Sequence, residues 1–166
     1  MPYNVGDRVV HPSYGVGYVI RLEARRFAEA EARLYYEITI EKGTVWVPVE
    51  PHDTNGLRPV TTREDLAGYR RTLRSRPAAL NQDRRLRQSE LTARLRQGSF
   101  QTTCEVVRDL TARSWNKALG DTEMTLLHRV QDNLCHEWAM AQGVSVAEAT
   151  QEVQALLEEA RQAYRV

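Results

Sequence analysis

The spacing of apolar positions changes once along the chain, from a strand-like to a helix-like period. Between Asp7 and about Val49, short runs rich in Val, Ile and aromatic residues show partial alternation, which is typical of half-buried strands. Turn residues separate these runs at Pro12–Gly15, around residues 28–32 and at Lys42–Gly43. Four or five short strands in this space predict a small, curled antiparallel sheet or half-barrel.

The stretch NVGDRVVHPSYGVGYVI, residues 4–20, contains the first predicted hairpin. Two apolar runs flank a Pro-Ser-Tyr-Gly turn, and Gly15 and Gly17 fall on one face of the second strand. The absence of side chains at these two positions permits sharp bending or the close approach of another backbone. We therefore interpret the hairpin as a scaffold, since nothing in it resembles a catalytic group.

Beyond residues 51–59 the apolar positions follow the period of amphipathic helices. Thr61 and Glu64 have the spacing of a capping box ahead of a short first helix, and Ser145 and Glu148 repeat that spacing ahead of the last helix. Between them the pattern predicts three further helices, at residues 83–97, 99–117 and 121–141. Two of these helices have predicted core faces, formed by Phe100, Cys104, Val107 and Leu110 and by Leu127, Val130, Leu134 and Trp138.

These elements predict an α+β protein in two parts. Residues 1–60 are expected to form a small antiparallel β module, and residues 61–166 a compact all-α domain of about five helices. A chain of 166 residues has room for two such domains, each with a modest core.

The net charge of +1 hides an uneven distribution. Residues 61–118 carry 13 Lys and Arg against 6 Asp and Glu, whereas residues 119–166 carry 3 against 8. Arginine supplies 21 of the 23 basic residues, and arginine binds phosphates bidentately as well as by charge. Because a solvated helical face has the same composition, charge alone only suggests a nucleic-acid partner.

Candidate chemistry is sparse. Cys104 and Cys135 fall in helical patterns, which favours buried thiols in a reducing compartment over a disulfide. Cys135 and His136 with His128 lack a metal-ligand spacing, because adjacent ligands on one helix point about 100° apart. No phosphate-binding loop, dinucleotide fingerprint or catalytic triad motif is present. We therefore expect a non-enzymatic protein without catalytic residues, metal, cofactor or small-molecule substrate.

The sequence shows neither the pattern of a membrane span nor that of a secretion signal. No apolar run approaches the roughly 20 residues of a membrane span, and the N-terminus lacks a basic stretch followed by an apolar one. We expect a cytoplasmic protein that does not associate with a membrane.

Several motifs together resemble one family. The segments YNVGDRVVHPSYGVGYVIRLEAR, YYEITI, VWVPVE and GLRPV resemble the N-terminal RNA-polymerase-interaction domain of the bacterial CarD and CdnL transcription regulators, a module also found in transcription-repair coupling factor. GSFQTTCEVVRDLTAR, followed by NKALGDTEMTLL, resembles the helical part of the same regulators. The resemblance runs nearly end to end and keeps the order of the motifs.

The resemblance implies a Tudor-like β module that docks on the lobe of the polymerase β subunit through an exposed strand. Positions that match the polymerase contacts of family members are Arg25, Phe27, Trp46, Val47 and Pro48. For Phe27 and Trp46 the alternative is burial in the core of the module, since aromatic residues are often core residues. For Arg25 the alternative is an ordinary surface arginine near Glu23.

The resemblance also implies that the helical domain touches promoter DNA at the upstream edge of the transcription bubble and would associate with the nucleoid through polymerase. Many family members place a tryptophan wedge just before an arginine-rich helix, but here the stretch reads NQDRRLRQSELTARLRQG. Counting back from Gly98 places Arg84 at the wedge position, to within about two residues. Arg84, Arg85 and Arg87 are the expected phosphate contacts. Without the wedge we expect weak, sequence-tolerant binding that modulates open-complex stability.

Two alternatives stay open from the sequence. The chain could be a polymerase-binding adaptor that has lost DNA contact and presents its helices to another protein. It could also be an enzyme with a site at a cleft, which would require paired groups with shifted pKa values.

Overall fold

The computed structural model describes residues 3–51 and 55–165. Residues 52–54, which lie between the predicted strands and the predicted helices, are outside the described residues. The chain divides into two compact units, Met1–Val60 and Thr61–Val166, called the β unit and the helical unit below. The predicted α+β class and the order of the two parts are confirmed.

The β unit is one antiparallel sheet of five strands in the order β4-β3-β2-β1-β5. The strands are β1 (Arg8–His11), β2 (Gly15–Arg25), β3 (Arg33–Ile40), β4 (Gly43–Pro48) and β5 (Arg58–Pro59). Strand β5 pairs with β1 and lies within residues 51–59, where the sequence pattern predicted no strand. Its two residues are too few to show a period, and Pro59 argues against a strand on composition, although an edge strand tolerates proline.

Gly17 is required by the packing of β2 against β3. A Cβ atom at this position would lie 2.5 Å from the carbonyl oxygen of Thr39 and 2.8 Å from a side-chain carbon of Ile38. Gly15, where β2 begins, has a positive φ of 80°. The prediction that these two glycines permit bending and close backbone approach is confirmed.

The core of the β unit lies on one face of the sheet. Strand alternation directs every second side chain to that face, where apolar residues from all the long strands meet. The buried set is Val9, Val19, Tyr36, Ile38, Val47 and Val49. The opposite face of β2, β3 and β4, called the outer face below, is left for other contacts.

The helical unit contains five helices: α1 (Leu66–Leu73), α2 (Arg84–Arg96), α3 (Phe100–Asn116), α4 (Asp121–Gln142) and α5 (Val146–Tyr164). The capping box of Ser145 and Glu148 is present at the start of α5. The capping box predicted for Thr61 and Glu64 is wrong, because α1 begins at Leu66. The N–H of Thr61 instead donates to the buried carboxylate of Glu137 on α4 (2.9 Å).

Apolar side chains from all five helices form one core in the helical unit. The two predicted faces are buried there, with Leu127 half-buried at the margin, and Cys104 and Cys135 are among the buried residues. Across residues 3–51 and 55–165, no helix is long and apolar enough to cross a membrane.

A carboxylate at the margin of this core links three helices. Glu152 of α5 accepts hydrogen bonds from Arg70 Nε of α1 (2.8 Å) and from Trp138 Nε1 of α4 (2.7 Å). The guanidinium of Arg70 also lies over the indole of Trp138, 5.6 Å from its centroid. The hydrogen bond from Arg70 is the main cause of a lowered pKa for Glu152.

Candidate functional site

Cross-strand register brings the predicted aromatic and arginine positions together on the outer face. Trp46 of β4 lies opposite Glu37 of β3, which lies opposite Arg21 of β2. One step along, Pro48 lies opposite Tyr35. Because side chains alternate between faces, these residues lie together, away from the core.

Arg25 sits at the centre of an aromatic set on this face. Its guanidinium carbon is 4.6 Å from the ring centroid of Trp46 and 5.7 Å from that of Phe27. The Phe27 ring meets Tyr35 edge to face, with centroids 5.0 Å apart. Glu23 lies 3.6 Å from Arg25, so the arginine both stacks on rings and faces a carboxylate. We call these five residues the outer-face cluster.

The outer-face cluster stays partly open to solvent. Phe27 is 44% exposed, and Trp46 is half-buried outside the hydrophobic core, so neither ring is a core residue. The indole nitrogen of Trp46 has no hydrogen-bond partner among the described residues. Tyr35 was missed by sequence reasoning, although its alternation with Glu37 on β3 placed it on this face.

Val47 does not belong to the outer face. Its side chain is 5% exposed and packs in the core of the β unit, because alternation turns it away from Trp46 and Pro48. The prediction that the Val47 side chain contacts polymerase is therefore corrected: its role is to hold β4 in place.

Strand β4 offers free backbone groups at one edge of the sheet formed by the described residues. Val49 donates its N–H to β3 (3.0 Å), and hydrogen bonding alternates along an antiparallel pair. Thr44 and Trp46 therefore direct their N–H and C=O groups away from β3. The edge ends at Pro48, which has no N–H and whose carbonyl accepts from the Asn55 side chain (3.1 Å). A short edge of this kind fits the addition of one strand.

The helical unit carries an open groove between α2 and the first turn of α4, with a volume of about 550 Å³. Its lining is mainly basic and hydroxylic and includes Arg84, Arg85, Gln88, Thr92, Arg96 and Thr122. Arg84 and Arg85 are exposed, and neither forms an ion pair with another described residue. Arg96 was missed by sequence reasoning, although it lies 11 positions after Arg85 and hence on the same helix face.

Arg87 is not part of this open surface. It is only 4% exposed, and its Nε (3.1 Å) and Nη2 both donate to Glu123 Oε1 of α4. Its Nη1 donates to the carbonyl oxygens of Asn81 (2.9 Å) and Gln82 (3.2 Å). The prediction of a phosphate contact by Arg87 is corrected, because every nitrogen of its guanidinium has a partner inside the unit.

Arg113 of α3 completes a buried ion cluster with Arg87 and Glu123. Its Nε lies 3.6 Å from Glu123 Oε2, and that oxygen accepts no hydrogen bond from the described residues. Glu123 is 6% exposed and forms part of the groove lining. Two arginines around one carboxylate leave the cluster with one net positive charge.

Leu86 is a large apolar residue that α2 exposes to solvent, with 54% of its surface accessible. It follows Arg84 and Arg85 directly in the first turn of α2. It lies two positions after Arg84 and hence within the two-residue range of the predicted wedge position.

Comparison with known proteins covers both units. Residues 3–61 match the family model described as the CarD-like/TRCF RID domain, and residues 70–154 match that of the CarD C-terminal domain. A Bacillus subtilis (strain 168) protein described as "Putative transcription factor YdeB" is 28% identical over 145 residues, which cover 86% of this chain and 94% of that protein. An RNA-polymerase-interaction domain followed by a CarD-type helical domain makes this a transcription-related protein, and the chain belongs to the CarD-like family.

Proposed function

We propose that this protein docks on the β subunit of RNA polymerase through β4 and modulates the stability of open promoter complexes through α2. The first half is supported by the open edge of β4 next to the outer-face cluster. An added strand would take its affinity from backbone hydrogen bonds at Thr44 and Trp46. The side chains of Arg25, Phe27, Trp46 and Pro48 would then set specificity.

The outer-face cluster has the composition of a binding hot spot. Tryptophan, tyrosine and arginine dominate the energy of protein interfaces when they are desolvated together. Arg25 is held between rings before any partner arrives, so less side-chain entropy is lost on binding.

The second half is supported by the groove beside α2. Arg84 and Arg85 are exposed and form no ion pair with the residues that the structure describes, so their guanidinium groups are available to phosphates. No base-reading arrangement is required, since phosphate contacts position a protein without carrying sequence information. Leu86 can enter between splayed base steps as a small apolar wedge, which residues of this type do in minor-groove binders.

Polymerase docking is tested with Arg25→Glu and, as a control, Arg8→Glu on β1. Arg8 is an exposed arginine three strands away from β4. We expect Arg25→Glu to weaken binding to the isolated β lobe about tenfold or more, because the reversed charge faces Glu23 and loses the ring contacts. Arg8→Glu should bind normally. Equal affinities of both variants for the lobe would remove Arg25 from the interface.

DNA contact is tested with a salt titration on a forked promoter fragment. The double variant Arg84→Ala, Arg85→Ala should lower the slope of log affinity against log salt by about 2, one for each lost phosphate contact. Arg71→Ala, Arg74→Ala removes two exposed arginines, one in the last turn of α1 and one at its C-cap, and is the matched control. The lifetime of promoter complexes with purified polymerase should shorten only in the first variant. An unchanged slope and lifetime there would favour the adaptor alternative.

A further inference from the structure

The attachment of α2 to the helical unit depends on charge more than that of the other long helices does. α2 buries two side chains, Arg87 and Leu91, whereas α3 buries six and α4 eight. At its far end, Arg94 lies 3.6 Å from the buried carboxylate of Asp109 on α3. A helix with so little apolar contact needs other interactions to keep one position.

The buried ion cluster supplies that interaction at the end of α2 that carries Arg84 and Arg85. Glu123 receives Arg87 of α2 on one oxygen and faces Arg113 of α3 with the other. Through Arg87 Nη1 the cluster also holds the carbonyl oxygens of the connector just before α2. One carboxylate on α4 therefore joins α2, α3, α4 and the entry to α2.

We infer that Glu123 is a positioning residue for DNA binding: it holds Arg87, and through Arg87 the first turn of α2, so that Arg84, Arg85 and Leu86 face the nucleic acid. The inference rests on the proposed DNA contact. In some proteins a buried ionic group specifies one arrangement while adding little net stability. It also gives Arg87 an indirect role in place of a phosphate contact.

The direction in which DNA affinity changes when Glu123 is substituted separates this role from simple electrostatics. Glu123 borders a groove lined by arginines, so as a plain negative charge it would repel phosphate and its loss would strengthen binding. As a positioning residue its loss would weaken binding, because Arg87 would be left buried without its carboxylate and the first turn of α2 would shift. The two roles predict opposite changes.

The experiment compares Glu123→Gln with Asp121→Asn in the full chain. Asp121 is an exposed acid in the same turn of α4, and its substitution removes the same charge without touching the cluster. Affinity for a forked promoter duplex is measured below the unfolding temperature of both variants, together with amide hydrogen exchange of α2 and binding to the isolated β lobe.

We expect Glu123→Gln to lower DNA affinity about threefold to tenfold, the effect of reducing the competent position of α2 to between a third and a tenth of the population. Exchange should become faster in the first turns of α2, while binding to the β lobe stays unchanged. Asp121→Asn should bind DNA at least as tightly as the natural chain. Tighter DNA binding by Glu123→Gln, or unchanged exchange in α2, would overturn the inference.

A second variant tests the inference independently if Glu123→Gln does not fold. Arg87→Met, Glu123→Leu replaces the pair by apolar side chains, which is often tolerated, and leaves the net charge unchanged, so it should bind DNA about as tightly as the natural chain. A direct phosphate contact by Arg87 would instead make this variant bind DNA more weakly than the natural chain. If the natural chain shows no DNA binding at all, the proposed function fails there, and hydrogen exchange still reports whether Glu123 holds α2.

Discussion

Arginine serves the two proposed interfaces in different ways. On the outer face, Arg25 is stacked on two aromatic rings and faces Glu23, so its position is set before any partner binds. On α2, Arg84 and Arg85 extend into solvent without an ion pair to any described residue. The first arrangement suits a protein partner that matches one shape, and the second suits a flexible, repeating row of phosphates.

The supports behind the two surfaces differ as well. The outer face rests on a sheet whose register is fixed by backbone pairing and by an apolar core on the other side. The α2 surface rests on a helix with one fully buried apolar side chain and two charged attachments. The proposed polymerase surface is therefore held by a packed sheet, whereas the proposed DNA surface depends on a few polar contacts and is easier to alter by substitution.

The largest expected contrast comes from the same substitution in each unit. Gly17→Ala should destabilise the β unit by about 1–3 kcal/mol, because the added Cβ meets a backbone oxygen that cannot move without disturbing β3. Gly68→Ala, in the first turn of α1, should stabilise the helical unit by up to about 0.5 kcal/mol, less than the same substitution in a helix interior. Urea unfolding followed by resolved NMR signals of each unit measures both effects. A stable Gly17→Ala β unit would show that β2 and β3 can separate at low cost.

Salt should separate the two interfaces next. Raising monovalent salt from 50 to 200 mM should weaken DNA binding about tenfold if Arg84 and Arg85 each neutralise one phosphate. Binding to the isolated β lobe should change less than about threefold over the same range, since strand pairing and ring contacts do not release counterions. Both affinities are measured on the same preparation. A steep salt dependence for the β lobe would mean that Arg25 acts mainly as a long-range charge.

An aromatic residue on α2 should give the proposed DNA surface a ring contact, as the outer face already has. Leu86→Trp should lengthen the lifetime of the promoter complex about fivefold, since stacking of one base is worth about 1 kcal/mol or more. Arg84→Trp tests the neighbouring register and removes a charge at the same time. The variant with the longer lifetime identifies the wedge position, and no gain from either would show that α2 does not reach the bases.

The smallest effect concerns the Glu152 carboxylate at the margin of the helical core. The pKa of Glu152 is lowered by the Arg70 hydrogen bond, so its carboxylate stabilises the folded state above the ordinary pKa of glutamate and loses this effect as pH falls through the lowered value. Glu152→Gln should lower Tm slightly at neutral pH, and the difference should shrink in acid. Glu158→Gln removes an exposed acid of the same helix and is the matched control for the loss of one charge. A constant Tm difference across pH would assign the effect to the Trp138 contact instead.

Much of the architecture followed from local signals. Helices α2, α3 and α5 begin directly after Asp83, Ser99 and Ser145, whose side chains cap the first turn. The alternation of apolar and polar residues located β2, β3 and β4. Local signals failed where the partner was distant. Thr61 had the spacing for a cap, but its N–H is satisfied by Glu137, 76 positions away, so the helix starts later.

The sequence by itself determined which residues share a face, because the periods of helix and strand are properties of the backbone. Along β4, Trp46 and Pro48 had to lie on one face of the sheet and Val47 on the other. On α2, Arg85 had to share a face with Arg96. Only the tertiary structure decided which of these faces is covered. Arg84 and Arg87 are one turn apart on α2, yet Glu123, 36 positions after Arg87, draws one of them into the interior and leaves the other in solvent. Burial is set by what packs against a face, and that comes from elements far along the chain.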